Sequence, residues 1–250
     1  MSQIDLGAFS LLEPLGAGGM GVVWRGVHRE QQVPVAIKVI SALHAETQHF
    51  IEGFEREVQA VAGLHHPGVC RVFDHGHITA KAAAASEQRL KQGSPWLAME
   101  LATRGSLEEG LRPTSWEELR ALLLSVIDAL AHAHARGIVH RDIKPGNILI
   151  TSSLSSMASD ATDAPSRYLL TDFGLAHATQ PTSERSQSEI NNSTAGTPYY
   201  MPPEQLQGYW RDYGPWTDLY ALGCVAYELA CGRLPFEAEN KLDLGRAHIM

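Results

Sequence analysis

Eight residues, His140 to Asn147 ("HRDIKPGN"), bring a carboxylate, an ammonium and an amide close together along the chain. Asp142 can accept the proton of a hydroxyl nucleophile and orient it. Lys144 can neutralise charge on a moving phosphoryl group, and Asn147 offers a neutral oxygen to a hard divalent cation. Asp172, in "TDFGLA", offers a carboxylate to the same cation. Phosphoryl transfer asks for positioning and charge neutralisation more than for covalent chemistry, and these side chains supply both. A solvated polar loop could carry the same residue types, so the surrounding elements have to decide.

Upstream, "LGAGGMGVV" sets Gly16, Gly18 and Gly21 between two strand-like runs, with Leu15, Ala17, Gly19, Met20, Val22 and Val23 around them. Glycines let backbone N–H groups approach phosphate oxygens. The same spacing occurs in dinucleotide-binding folds, but there a helix follows directly. Here "VVWRGV" follows, which has the composition of a strand and favours a loop hinged between two strands. Further on, "VAIK" places Lys38 among apolar residues that point into a core. A bare ammonium is costly to bury, so Lys38 calls for a carboxylate partner and a phosphate. Glu57, on the polar edge of a helical stripe, is the best carboxylate. The alternative is an exposed lysine on an edge strand.

The elements that must hold these groups follow from periodicity. "FSLLEPLG", "GVVWRGVH" and "PVAIKVI" are short, apolar or β-branched, and bounded by turn residues, so they predict strands. Phe50, Phe54, Val58 and Val61 recur with helical spacing in "HFIEGFEREVQAVAGL". After Gly105 the pattern turns helical. Ser115 followed by Glu118 has the form of a capping box, Leu119, Leu123, Val126 and Leu130 make a stripe, and Gly137 supplies a stop. A second helix is expected over Thr217 to Cys231, stopped by Gly232. These elements predict an α+β chain of two lobes, with a strand-rich lobe over 1–102 and a mainly helical one over 103–250. Two segments break the pattern. Residues 79–94 are Ala-rich and charged, and predict a short exposed helix or a mobile loop. Residues 151–166 are Ser-rich and too polar to offset their ordering entropy, which predicts a disordered insert.

Composition narrows the classes. The chain has 250 residues, 44% hydrophobic and 19% charged, with a formal net charge of -8. That balance disfavours nonspecific binding to nucleic acid or to an anionic membrane surface, both of which need a basic face. "MSQIDLGAFSLLEPLG" carries no arginine or lysine of a leader, and no apolar run is long enough to span a bilayer, so a cytoplasmic location is expected. Cys70, Cys224 and Cys231 form no metal-binding pair and predict reduced, buried thiols, the last two sharing a helix face.

Six pieces, "GAGGMGVV", "VAIK", "HRDIKPGN", "DFG", "GTPYYMPPE" and "DLYALG", occur in an order that resembles the eukaryotic-type serine/threonine protein kinase family, in its bacterial branch. The resemblance covers residue 9 to the end of the chain and implies the two-lobe kinase fold with an antiparallel N-terminal sheet. It implies ATP and Mg²⁺, with Mn²⁺ as the alternative ion, and a protein Ser/Thr hydroxyl as acceptor. It also implies that Gly16, Gly18 and Gly21 cover the phosphates, and that Lys38 binds the α- and β-phosphates and pairs with Glu57. By the same resemblance, Asp142 is the catalytic base, Lys144 contacts the γ-phosphate, and Asn147 and Asp172 ligate the metal. Leu15, Val23, Ala36 and Leu149 would enclose adenine, beside Met99 and the backbone of Glu100 and Ala102. His140, Phe173 and Val61 would stack in a spine.

Thr197 in "GTPYY" and Lys144 before Pro145 match the serine/threonine group. Arg141 implies pairing with a phosphorylated loop between Asp172 and Glu204, where Thr179, Thr182, Ser183, Ser186, Ser188, Ser193 and Thr194 lie. Self-association for phosphorylation of one copy by another is a corresponding expectation. Two departures stand out. "APE" of the family reads Pro202-Pro203-Glu204, and the chain stops at Met250 before helices that the family carries. Glu204 is therefore expected to lack its arginine partner, and the underside of the Thr217–Cys231 helix to be exposed. Two other readings stay open: a non-catalytic kinase-like scaffold, and a small-molecule phosphotransferase, which Lys144 and "GTPYYMPPE" disfavour.

Overall fold

The computed structural model of the protein describes residues 4–18, 21–40, 48–87, 89–109, 112–152, 166–173 and 198–250. Among these, 4–63 and 71–101 form one unit, and 64–70, 102–173 and 198–250 form a second.

In the first unit, six strands make one antiparallel sheet: β1 (Ile4–Leu6), β2 (Phe9–Gly18), β3 (Gly21–His28), β4 (Pro34–Ile40), β5 (Val72–His77) and β6 (Pro95–Glu100). Their order is β1-β2-β3-β4-β6-β5. The sequence bounds of β3 and β4 are those predicted, because both runs are apolar and end at turn residues. Strand alternation then sorts the side chains by face. Trp24, Val35, Ile37, Val39, Trp96 and Ala98 join Leu6, Phe9 and Leu11 in one core. Val23, Ala36, Lys38 and Met99 therefore share the opposite face. Val23 pairs with Lys38, Lys38 with Leu97, and Ala36 with Met99.

Helix α1 (Gln48–Ala62) carries the predicted stripe: Phe54 and Val58 are buried and Val61 is half-buried, while the side chain of Phe50 lies outside what is described. The Ala-rich segment forms a short helix, one of its two expected states. Ala80–Ala85 form helix α2, started by the Thr79 hydroxyl, which accepts from Ala82 N–H at 3.2 Å. The helix is exposed on one side only: Lys81 and Ala84 face outward, while Ala82 enters the sheet core together with Ile78 and Leu90. Alanine has the side-chain volume that lets a helix lie close to a sheet, and charge on one side of the segment masked that apolar side.

In the second unit, helix α3 (Trp116–His134) starts where Ser115 Oγ accepts from Glu118 N–H at 3.2 Å. The reciprocal half of the box is replaced: the Glu118 carboxylate accepts from the N–H and hydroxyl of Thr114. Leu119, Val126 and Leu130 are buried as predicted, but Leu122 is the fully buried residue and Leu123 only half-buried. Strands β7 (Ile148–Ser152) and β8 (Ser166–Leu170) form a ribbon, so Thr151, Ser152 and Ser166 belong to strands. The rest of the predicted disordered insert lies outside the described residues.

Among the described residues, three α-helices follow: α4 (Pro203–Leu206), α5 (Pro215–Cys231) and α6 (Lys241–Ile249). Helix α5 packs on α3 and ends at Gly232, whose φ of 69° needs glycine. Cys70 and Cys224 are buried, but Cys231 is exposed, because the helix ends there and leaves no neighbour to cover it. Trp216 and Leu219 of α5 are exposed, while Thr217, Asp218, Ala221, Leu222 and Val225 are buried. Among the described residues, no helix is long and apolar enough to cross a membrane.

Candidate active site

Two short turns of the second unit carry the "HRDIKPGN" groups. His140 is fully buried, with its ring centroid 4.4 Å from that of Phe173. Its Nδ1 accepts from Asp142 N–H at 3.3 Å, so Nε2 carries the proton and donates to the Thr171 carbonyl at 2.8 Å. Two segments 31 residues apart are thereby joined through one imidazole. Asp142 sits in the next part of the loop, and Pro145–Asn147 form a 3-10 turn that folds the amide back onto it.

The Asp142 carboxylate is loaded on one side. Lys144 Nζ donates to its Oδ2 at 2.7 Å, and Asn147 Nδ2 donates to the same oxygen at 2.9 Å. Asn147 Nδ2 also donates to the Asp142 carbonyl at 2.7 Å. Among the described residues, Oδ1 of Asp142 receives no hydrogen bond. The carboxylate is therefore held in orientation through one oxygen and open at the other. Because Asn147 spends its NH₂ group on Asp142, its amide oxygen faces away and remains a hard donor. The Asn147 carbonyl accepts from Thr171 N–H at 3.1 Å, which sets Asp172 next to this turn. Asp172 has a φ of 65° and Arg141 one of 67°. Left-handed backbone at non-glycine residues costs energy and persists where surrounding contacts over-determine it.

At Arg141 those contacts come from Asp218 on α5, which is 1% exposed. Its Oδ2 accepts from His140 N–H at 2.8 Å and from His134 at 2.7 Å, and its Oδ1 accepts from Arg141 N–H at 2.7 Å. Gln205 adds a bond from its side-chain amide to the Arg141 carbonyl at 2.9 Å. Sequence reasoning missed Asp218 as a positioning residue. The signal was there in "DLYALG", but nothing local tells which backbone an aspartate will reach. Removing it leaves buried N–H groups without acceptors, each costing about 1–3 kcal/mol. Asp218→Ala is expected to lower stability by about 2–3 kcal/mol in denaturant titration. An unchanged midpoint would mean that the 140–142 loop is held by other contacts.

The sheet unit places the remaining predicted residues by itself. Leu15, Gly16, Ala17 and Gly18 are exposed at the end of β2, and Gly18 pairs with Gly21 across the hairpin; Gly19 and Met20 lie outside the described residues. A Cβ on Gly16 or Gly18 would meet nothing, so space is open beside that backbone. Gly21 differs: its φ is 152° and a Cβ would collide with the Val39 carbonyl, so it is required by strand packing. Lys38 is 6% exposed on the face opposite the sheet core. Glu57 is half-buried on α1, and Met99 and Glu100 end β6, where Glu100 N–H donates to the Arg71 carbonyl at 2.9 Å. In the second unit, Ala102 is half-buried after β6, and Leu149 is half-buried in β7, opposite Leu169.

Glu204 takes a partner that the sequence did not reveal: Thr217 donates its hydroxyl to the carboxylate at 2.7 Å. Tyr200 donates to Glu228 at 2.6 Å, and Arg112 donates to the other oxygen of Glu228 at 2.8 Å, a grouping the sequence did not reveal. Thr197 and the Ser/Thr residues from Thr179 to Thr194 lie outside the described residues.

A buried histidine, an oriented carboxylate–lysine–amide set and an adjoining Asp172 on an α+β scaffold define the protein kinase class. The family model described as protein kinase domain matches residues 9–250, and the chain belongs to that family. It is 34% identical over 246 residues to serine/threonine-protein kinase PknA of Mycobacterium tuberculosis, covering 97% of this chain and 51% of PknA. It is 36% identical over 234 residues to serine/threonine-protein kinase pkn2 of Myxococcus xanthus, covering 92% of this chain and 25% of that protein. A probable serine/threonine-protein kinase PknB of Bifidobacterium longum is 30% identical over 249 residues, with 97% and 33% covered. The chain spans about half the length of PknA and less of the other two.

Proposed function

We propose that this chain is a serine/threonine protein kinase unit that transfers the γ-phosphate of ATP to a protein hydroxyl. The observation that carries this reading is the half-occupied carboxylate of Asp142. Lys144 and Asn147 hold one oxygen, which leaves the other to accept a hydrogen bond from a serine or threonine hydroxyl. Accepting that bond aligns the nucleophile, and the proton passes to Asp142 Oδ1 as the new P–O bond forms and the bond to the ADP oxygen breaks. Lys144, bound to Asp142 but 37% exposed at its side chain, has its charge available to the transferred group's oxygens.

The donor set fits a hard divalent cation. Asn147 supplies an amide oxygen and Asp172 a carboxylate, both suited to Mg²⁺ or Mn²⁺. Among the described residues, no group of three or more His, Cys, Asp or Glu could hold a metal alone, which agrees with an ion that keeps waters and phosphate oxygens as ligands. Bound there, the ion would supply charge neutralisation on the phosphate oxygens. In the sheet unit, the open backbone at Gly16 and Gly18 and the buried Lys38 support the phosphate-covering and phosphate-binding roles.

Regulation follows from Arg141. Among the described residues, its buried Nε has no hydrogen-bond partner. A guanidinium in that position suits a phosphate on the Asp172–Glu204 segment, added by a second copy of the chain. The test of function is incubation with γ-labelled ATP, Mg²⁺ and a generic basic protein, followed by phosphoamino-acid analysis. Label on serine and threonine is expected. Label on tyrosine alone, or turnover only with small alcohols or aminoglycosides, would overturn it.

A further inference from the structure

We propose that Glu108 selects protein substrates with a lysine or arginine beside the acceptor hydroxyl; this rests on the kinase reading above. The turn Leu107–Glu109 packs on the turn Pro145–Asn147 that carries Asn147. The Glu108 carboxylate lies directly against Gly146, in the space that any side chain at 146 would fill. Glycine at 146 is thus what admits an acidic group from another segment onto the catalytic turn. The carboxylate also reaches the field of Tyr200, whose hydroxyl pKa is raised by burial, by its bond to Glu228 and, to a smaller degree, by Glu108.

The neighbouring carboxylates already have partners, and Oδ1 of Asp142 is left for the acceptor hydroxyl. Asp142 is held by Lys144 and Asn147, Glu109 accepts from Ser106 N–H at 3.0 Å, and Glu228 is shared by Arg112 and Tyr200. Glu108 is exposed and, among the described residues, has neither hydrogen bond nor ion pair. An unpaired surface carboxylate is ordinary in itself. Its place is not: it borders the stretch from the catalytic turn to the Tyr199–Tyr200 segment. A serine or threonine presented to Asp142 carries its flanking side chains past that charge. A flanking ammonium or guanidinium gains attraction there, and a flanking carboxylate is repelled. The net charge of -8 steers basic chains in the same sense.

The experiment uses two serine peptides of one sequence, with flanking lysines in the first and norleucine in their place in the second. Wild-type chain should show the higher kcat/KM for the lysine peptide, with a preference that shrinks as salt is raised. Glu108→Gln should cut that preference about two- to fivefold, the effect of one exposed ion pair. Glu108→Lys should cut it about tenfold, through the peptide's KM and with the salt dependence flattened. A preference unchanged in both variants, or one lost through kcat alone, overturns the assignment of Glu108 while the kinase reading stands. Wild-type chain that binds ATP and phosphorylates neither peptide overturns the kinase reading and this inference with it.

Discussion

Asp142→Asn is expected to lower kcat by about two to four orders of magnitude, the usual contribution of a positioned general base. The substitution keeps the shape of the side chain. Its amide oxygen can still accept from Lys144 and Asn147, as Oδ2 does now at 2.7 and 2.9 Å. That arrangement puts an NH₂ group where Oδ1 stands, a donor that can neither align nor deprotonate a hydroxyl. Because the change lies on the acceptor side, ATP affinity should stay within a few-fold of wild type. Single-turnover kinetics and calorimetric ATP titration measure the two quantities separately. A variant with near-normal turnover and much weaker ATP binding would remove Asp142 from the hydroxyl and move it to the nucleotide.

Lys38→Met is expected to reduce phosphotransfer by about two to three orders of magnitude, as loss of one preorganised donor to developing charge does. Lys38 is buried on the sheet face it shares with Val23, Ala36 and Met99, away from the apolar core. A buried ammonium on an otherwise apolar strand is costly unless it is partnered. Methionine has a similar length and no charge, so the strand should still pair with Val23 and Leu97. The melting temperature should therefore stay close to wild type while turnover falls. The opposite pattern, a large drop in melting temperature with turnover kept, would show that the ammonium serves the fold and not the phosphates.

Much of the site was legible because its geometry is local. Asp142, Lys144 and Asn147 fall within six residues, and a proline-started turn suffices to bring the amide back onto the carboxylate. Strands β3 and β4 were legible for a similar reason, since an apolar run between turn residues has few other ways to fold. The Cys224–Cys231 pair shows the limit of periodicity. Seven residues do bring two positions to one helix face, yet whether that face is covered at its last turn depends on what lies beyond it.

By itself the sequence determined the types of the main elements, among them β3, β4, α1, α3 and α5, and the chemical groups of the site, because each follows from residues close together in the chain. Tertiary structure alone decided what holds those groups in place. Asp218 reaches the backbone of His140 and Arg141 across 78 and 77 residues, and His140 reaches Thr171 across 31. Arg112 and Glu228 meet across 116. It also decided that Ala82 is buried and that Gly146 makes room for Glu108. A side chain's type declares which partners it can take, but loop closure and packing choose among the many donors that the chain offers. That choice is made only when both segments are held by their own cores.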